Sequence, residues 1–477
     1  MDRVLLLNPY PFLHANYSER REYAFLQGNK VSYWLDEIHH SITVDYPVLV
    51  PGNVKVAVVR AKILKTLPIW VRWMGQSDRY EDYMQTCIAF VVRFVQVLQE
   101  LNVKTVLFCT AVSHHVEISL AEIACQIAGV QQMFLYPMPF FAKPFRLLPL
   151  LQKESIQDRH IFGAQVSDRS AIVEIEAYKA NYLAGEPPNL NKKFNSVEQS
   201  YSIALAQVAI LGLKKIVKLV VRRKSKVQVY PVGKWVDHDC FSLLRMVRSQ
   251  KAALDHYESV MQDDTTVDSM LLEDGPLPFL YAHFQPEATS FPEGGDYANH
   301  LDIVIEIRRL GYKGKILYGE HPACWSYRAS LGFTRVGLHR SIEYYKRLAS
   351  LNCTFVRPGY GSLHRNSKGF LPITITGSIA VERSLCGYST CCAGLPWFKD
   401  APGIFSLVET FGENGVFYDS ERWQFNSDIA LEWFSSNVSQ KTLINYPGIG
   451  SGIKLESIDE QNEFLNELEI LLEKTFD

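Results

Sequence analysis

Val103-Lys104-Thr105-Val106-Leu107-Phe108-Cys109 decides the fold, read together with the polar loop carrying His114 and His115, the apolar stretch over 116–129 and Met133-Phe134-Leu135-Tyr136. The first run is continuously β-rich rather than alternating, as expected of a parallel strand covered on both faces. Strand, loop, helix, strand is the βαβ unit of a doubly wound sheet. Outward toward the N-terminus, 84–101 reads as a long apolar helix, and Val4–Leu7 as a buried strand stopped by Asn8-Pro9-Tyr10-Pro11. Toward the C-terminus the strand signal fades over about 155–265, where the chain is helical and charged, and returns beyond 276. There the pattern predicts strands at 278–282, 315–318, 354–356 and 373–376, and helices at 296–310, 341–351 and 378–386. Phe464, Leu465, Leu468, Leu471 and Leu472 share one face of a closing helix.

A chain of 477 residues exceeds one ordinary core. The rhythm predicts a Rossmann-like N-terminal domain over 1–150, a helical connector over 151–275, a ligand-binding Rossmann-like domain over 276–450 and a closing helix within 451–477. The net charge of −2 leaves no global basic field, so nucleic acid is not an expected partner. Nine scattered cysteines form no disulfide framework, and Cys391-Cys392 lacks metal-clip spacing. They suit a reducing cytoplasm, with no metal expected. The opening apolar run is too short for a signal peptide, and no apolar stretch of about 18–20 residues suggests a membrane span.

The segment 203–226 carries a long apolar stretch ending in Lys214, Lys215, Lys218 and Arg222-Arg223-Lys224. Such a helix could lie on an anionic membrane surface, which would make the protein peripheral. The plainer reading is an interdomain helix packed on protein with a solvated basic end.

Three constellations fall at consecutive strand ends of the C-terminal half. They are Tyr281-Ala282-His283-Phe284-Gln285-Pro286-Glu287 with Gly294-Gly295, Tyr318-Gly319-Glu320-His321-Pro322, and Thr374-Ile375-Thr376-Gly377-Ser378 running on to Glu382. In an open parallel sheet ligands bind outside the carboxyl ends of the strands, so the three loops should converge. Gly377 would let the backbone approach a ligand, and Ser378 would open a helix whose N–H groups attract phosphate, with Glu382 one turn on toward a ribose hydroxyl. His321 could donate to a phosphate oxygen. Gln285 and Glu287 could grip sugar hydroxyls or supply a carboxylate. Taken singly, each is as well explained by turns and helix caps; their order and spacing carry the signal.

That order resembles the bacterial capsular-polysaccharide synthesis proteins, which include the Kdo transferases of capsule assembly. The resemblance is specific over about 278–390, through His283-Phe284-Gln285-Pro286-Glu287, Glu320-His321-Pro322 and Thr376-Gly377-Ser378 with Glu382. It is weaker over 100–136, where Phe108-Cys109-Thr110 and His114-His115 look like the acceptor-side strand and loop. The His-Pro pair is similar to that of bacterial sialyltransferases, which also use CMP-activated sugars. The resemblance implies a GT-B fold, two Rossmann-like domains with a helical connector, and a metal-independent glycosyltransferase without a cofactor. Glu287, His321 and His114 would be catalytic; His283, Gln285, Glu320, Gly377, Ser378 and Glu382 would bind substrate. The donor would be a nucleotide sugar, CMP-linked and acidic such as Kdo, and the acceptor a surface polysaccharide or lipid-linked glycan. Gly319 stands where the family often has lysine, and Arg383 where it has a small residue.

Two other readings are open at this stage: a CDP-polyol phosphotransferase of the teichoic-acid type, and a degenerate GT-B scaffold that binds glycan. Asp237-His238-Asp239 matches a metal motif of a different glycosyltransferase fold, but lies in the connector and reads as a solvated loop. Glu273-Asp274-Gly275 reads as an interdomain turn.

Overall fold

The computed structural model describes residues 3–7, 23–26, 55–64, 80–108, 116–138, 146–152, 159–163, 170–184, 201–221, 240–274, 276–283, 294–325, 340–360, 369–412, 423–439, 443–444 and 458–474. The chain divides into two compact units, one built on Met1–Tyr178 and Phe434–Asp477, the other on Lys179–Val229 and Trp235–Trp433. Both are α/β, each around its own sheet.

In the first unit, β1 (Arg3–Leu7), β2 (Tyr23–Leu26), β3 (Val103–Phe108) and β4 (Gln131–Pro137) run parallel. Three antiparallel strands extend them: β5 (Arg146–Gln152), β6 (Arg159–Ile161) and β13 (Leu443–Ile444). The sheet is therefore mixed, not a pure doubly wound one. Residues 138–145 joining β4 to β5 are fewer than the dozen or so that a parallel crossover needs.

The β-rich run of β3 has the expected cause, burial on two faces from Thr105 onward. Leu107 packs with Val4, Met133 and Leu135 under Phe464, Leu468, Leu471 and Leu472 of the closing helix, Ile458–Glu473. The alternate residues address the opposite face, where the rings of Phe108 and Phe134 stack 4.4 Å apart. Helices α1 (Val56–Leu64), α2 (Tyr80–Glu100) and α3 (Val116–Ala128) pack on one another beside this sheet. The unit reaches Tyr178, past the boundary expected near 150, because β6 completes its sheet. Helix α4 (Ile172–Leu183) runs across that boundary.

In the second unit, α5 (Tyr201–Val221), α6 (Cys240–Val260) and α7 (Asp264–Glu273) precede a sheet of six parallel strands. The strands are β7 (Leu277–Tyr281), β8 (Ile316–Gly319), β9 (Cys353–Val356), β10 (Phe370–Thr374), β11 (Thr390–Cys392) and β12 (Ile404–Phe405). Their order is β12-β11-β10-β7-β8-β9. The chain builds outward from β7 to β9, then returns to the other side of β7 and builds outward again, so winding reverses between β7 and β10. One face packs Leu280, Tyr318, Phe355 and Ile373 against α8 (His300–Arg309) and α9 (Ile342–Ser350). The other packs Phe279, Leu317, Val356 and Phe370 against Val267 of α7. Ala253 and Tyr257 of α6 join the first of these cores, so this part of the expected connector belongs to the second unit. Helices α10 (Ile379–Leu385) and α11 (Leu407–Phe411) follow; α12 (Ser427–Ser439) begins in this unit and ends in the first, whose closing helix is α13.

Glu273 ends α7 and Asp274 caps it, with its carboxylate 2.7 Å from Lys315 Nζ. That acidic pair is thus a helix end inside the second unit, not an interdomain turn. Asp237-His238-Asp239 lies outside the described residues.

Candidate functional site

The reversal between β7 and β10 is a topological switch point, where diverging connections open a crevice at the carboxyl ends of the strands. His283 stands two residues beyond β7, and Thr374 closes β10. The two meet: His283 Nε2 lies 2.7 Å from Thr374 Oγ1. Thr376 N–H donates to the same nitrogen at 3.4 Å, and Gly377 N–H donates to Thr374 Oγ1 at 3.1 Å. Nε2 is therefore the acceptor of the ring, and the imidazole proton falls on Nδ1.

Gly377 is needed here, for a different reason from the one expected. A Cβ at this position would stand 2.5 Å from Thr374 Oγ1 and 3.3 Å from His283 Nε2. The backbone approaches protein side chains at this point, and the N–H is already taken. Ser378 departs from expectation as well. It holds the N-cap position of α10 in an α-helical conformation without capping it, and its hydroxyl donates to Glu382 Oε1 at 3.0 Å. Glu382 is buried, close enough to Tyr182 of α4 that its charge adds to burial in pushing that phenol well up.

From β8 come Glu320 and His321. The Glu320 carboxylate is completely buried, 0% exposed, and accepts from Tyr318 (3.0 Å), Tyr345 (2.9 Å) and the His321 N–H (3.0 Å). Its countercharge is Arg340, 1% exposed, with Nε 2.5 Å from one carboxylate oxygen and Nη2 3.2 Å from the other. Desolvation alone would raise the Glu320 pKa, but the guanidinium beside it and the hydrogen bonds hold it below the usual value. The Cys324 thiol donates to Oε1 as well, at 3.5 Å, and with six donors around it this carboxylate orients the β8 loop rather than reaching outward for substrate. Arg340 Nη2 also donates to the His283 carbonyl at 3.4 Å, so one buried guanidinium ties the ends of β7 and β8 together. Tyr257 reinforces the join: its hydroxyl donates to Val356 O at 2.6 Å and accepts the Glu320 N–H at 3.2 Å.

His321 is half-buried and opens the short turn Pro322–Trp325. Desolvation lowers its pKa to about 4, with Glu320 opposing and Arg340 assisting. Desolvation, then the His321 charge, brings His283 down to about 3. His300, the first residue of α8, is fully buried and accepts the His283 N–H at Nε2, 2.7 Å away. Burial, followed by Arg340, holds it far below its ordinary value. Its proton therefore sits on Nδ1, a buried donor without an acceptor among the described residues. Burial holds all three imidazoles neutral at pH 7, and of the three His321 alone is partly exposed.

The structure thus brings His283, Glu320, His321, Gly377, Ser378 and Glu382 to neighbouring strand ends of one sheet. His114, Gln285 and Glu287 lie outside the described residues. Sequence reading misses Arg340 and His300. For Arg340 a signal exists: it precedes Ser341, the N-cap of α9, and a cation opposes the helix dipole there. Gly319, where the resembled family often has lysine, is also explained: a Cβ would stand 2.8 Å from the Phe279 ring. Among the described residues no group of three or more His, Cys, Asp or Glu could hold a metal ion.

No protein-family model matches the sequence, and no curated protein matches it. Two solved structures of the UDP-GlcNAc 2-epimerase of Methanocaldococcus jannaschii, one in complex with UDP-GlcNAc and UDP, align with 100% of this chain and of their own at 11% identity. Their TM-scores of 0.22 and 0.20 are too low for that likeness to bear on the function of this chain.

Proposed function

We propose that the chain is a metal-independent glycosyltransferase of the GT-B type. Its donor is a nucleotide sugar, CMP-linked and acidic such as Kdo, and its acceptor a surface-polysaccharide or lipid-linked glycan on the cytoplasmic side. The observation that supports this most is that the described parts of three motif segments, His283, Glu320-His321 and Thr374–Glu382, come together around the switch point of an all-parallel sheet in Rossmann order.

In this reading His321 donates a hydrogen bond to the phosphate that leaves with the nucleotide. An arriving anion raises the pKa of a neutral imidazole, so the ring takes up a proton and charge on the departing phosphate meets an imidazolium. The bond between the anomeric carbon and the phosphate oxygen breaks, and the acceptor oxygen bonds to that carbon and gives its proton to a base. Glu287 and His114 are the candidates for that base, and Gln285 for a sugar-hydroxyl contact. Glu382, oriented by Ser378, takes the ribose. Glu320, through Arg340, positions His321 and His283.

The test is thermal stabilisation by CMP, CDP, UDP and GDP. A nucleotide at about one hundred times its Kd stabilises by roughly 2.7 kcal/mol, several degrees for a unit of this size. CMP should give the largest shift; no shift from any of the four would remove the nucleotide from the account.

A further inference from the structure

Residues 199–236 contain eight Lys or Arg and neither Asp nor Glu, in a chain of net charge −2, so the remainder carries −10. Within this stretch lies α5, whose two sides differ. Ala204 and Val208 are buried against Val247 of α6, flanked by Tyr201, Leu205 and Leu244. The other side is apolar too, yet faces outward: Ile203 is 47% exposed, Ile210 51% and Leu213 63%, with Ala206 and Ala209 exposed between them. Spacings of three and four residues make these a single stripe. Continuing the stripe by one turn and then another from Ile210 gives the sequence positions Lys214 and Lys218.

We propose that this outer stripe of α5 docks on an anionic lipid surface. An exposed helical stripe of Ile, Leu and Ala leading into a run of cations matches the chemistry of a bilayer interface, which takes apolar side chains at the acyl boundary and Lys and Arg at the headgroups. A polyanion such as RNA would use the cations and leave the apolar stripe in water. Spanning is not implied: no helix among the described residues is long and apolar enough to cross a membrane. The inner side of α5, packed on α6, holds the helix to the second unit, so the surface would be reached without unfolding.

The experiment is sedimentation of the full chain with vesicles of phosphatidylcholine alone and of phosphatidylcholine with phosphatidylglycerol, at low and high salt. Binding should require phosphatidylglycerol and weaken with salt. Replacing Lys214, Lys215 and Lys218 with Gln should lower vesicle affinity by about fivefold per lysine, roughly a hundredfold in all. Ile210→Ser with Leu213→Ser should weaken binding as well, at an unchanged melting temperature because both side chains already face outward. Wild-type protein that ignores phosphatidylglycerol vesicles overturns the proposal. So does binding that survives the Ile210 and Leu213 changes and is competed away by RNA, which would assign the cations to a soluble polyanion.

Discussion

Arg340→Met removes the only charge that neutralises Glu320 within hydrogen-bonding distance among the described residues, while keeping most of the side-chain volume. Both groups are buried, with exposures of 1% and 0%, so solvent cannot screen the carboxylate left behind. Breaking such a pair from one side costs about 3–5 kcal/mol, because an uncompensated charge remains inside. At roughly 2–4 °C per kcal/mol for a unit of this size, the melting temperature should fall by about 10 °C. The pH dependence identifies the cause. Without Arg340, burial dominates and the folded-state pKa of Glu320 rises above its ordinary 4.5. The folded variant then holds a proton that the unfolded chain releases, so its deficit should shrink as pH falls from 7 toward 5. Adding Glu320→Gln to Arg340→Met should restore part of the loss. Calorimetric melts of wild type, single and double variants across that pH range are the assay. A single variant melting within a couple of degrees of wild type, or a deficit that does not shrink on acidification, would refute the description of Glu320 as a buried, charge-paired anchor.

Gly377→Ala places a methyl group 2.5 Å from Thr374 Oγ1, beside the His283 ring. Overpacking of this kind costs about 1–3 kcal/mol, so a melt should show a clear loss, and an unchanged melt would mean the turn is not packed as described. Acid should destabilise the second unit through His283 and His300, neutral when folded and ordinary when unfolded. Each depressed pKa favours folding above 6.5 and costs stability as pH falls through the window below it, about 1.4 kcal/mol per pH unit per histidine. Urea unfolding between pH 6.5 and 4.5 checks this, and His283→Gln should remove about one proton from the slope.

The strands most legible in sequence are those whose β-rich runs contain no proline. Val103–Phe108 is read almost residue for residue, since burial on both faces leaves Lys104 as its one exposed position. Prolines blur the others. Pro372 sits inside β10 and moves the expected start to 373, when the strand begins at Phe370. Pro149 hides β5 altogether. The helix expected over 296–310 begins at His300 because Asn299 caps it, its side chain accepting from Leu301 N at 3.1 Å, and Gly295–Tyr297 forms a separate short turn. At the site, residue types at strand ends are legible because the switch-point rule says where to look. What each side chain does is less so. Whether Glu320 faces a ligand or a buried arginine depends on Arg340, twenty residues on, and no local pattern encodes that pairing. Likewise the neighbour that makes Gly377 necessary is Thr374, brought back by a tight turn, not a ligand.

The most direct test of the nucleotide site is calorimetric titration of CMP into wild type and His321→Ala, each first shown to melt normally. A hydrogen bond to a charged group is worth roughly 1.5–3 kcal/mol, or about one to two decades of affinity. The variant should bind CMP that much more weakly. Wild-type affinity should also rise as pH falls from neutral, because phosphate binding lifts the imidazole from its free pKa of about 4 and takes up a proton. Equal affinity in both proteins with no pH dependence would contradict the account and put any nucleotide site elsewhere in the chain.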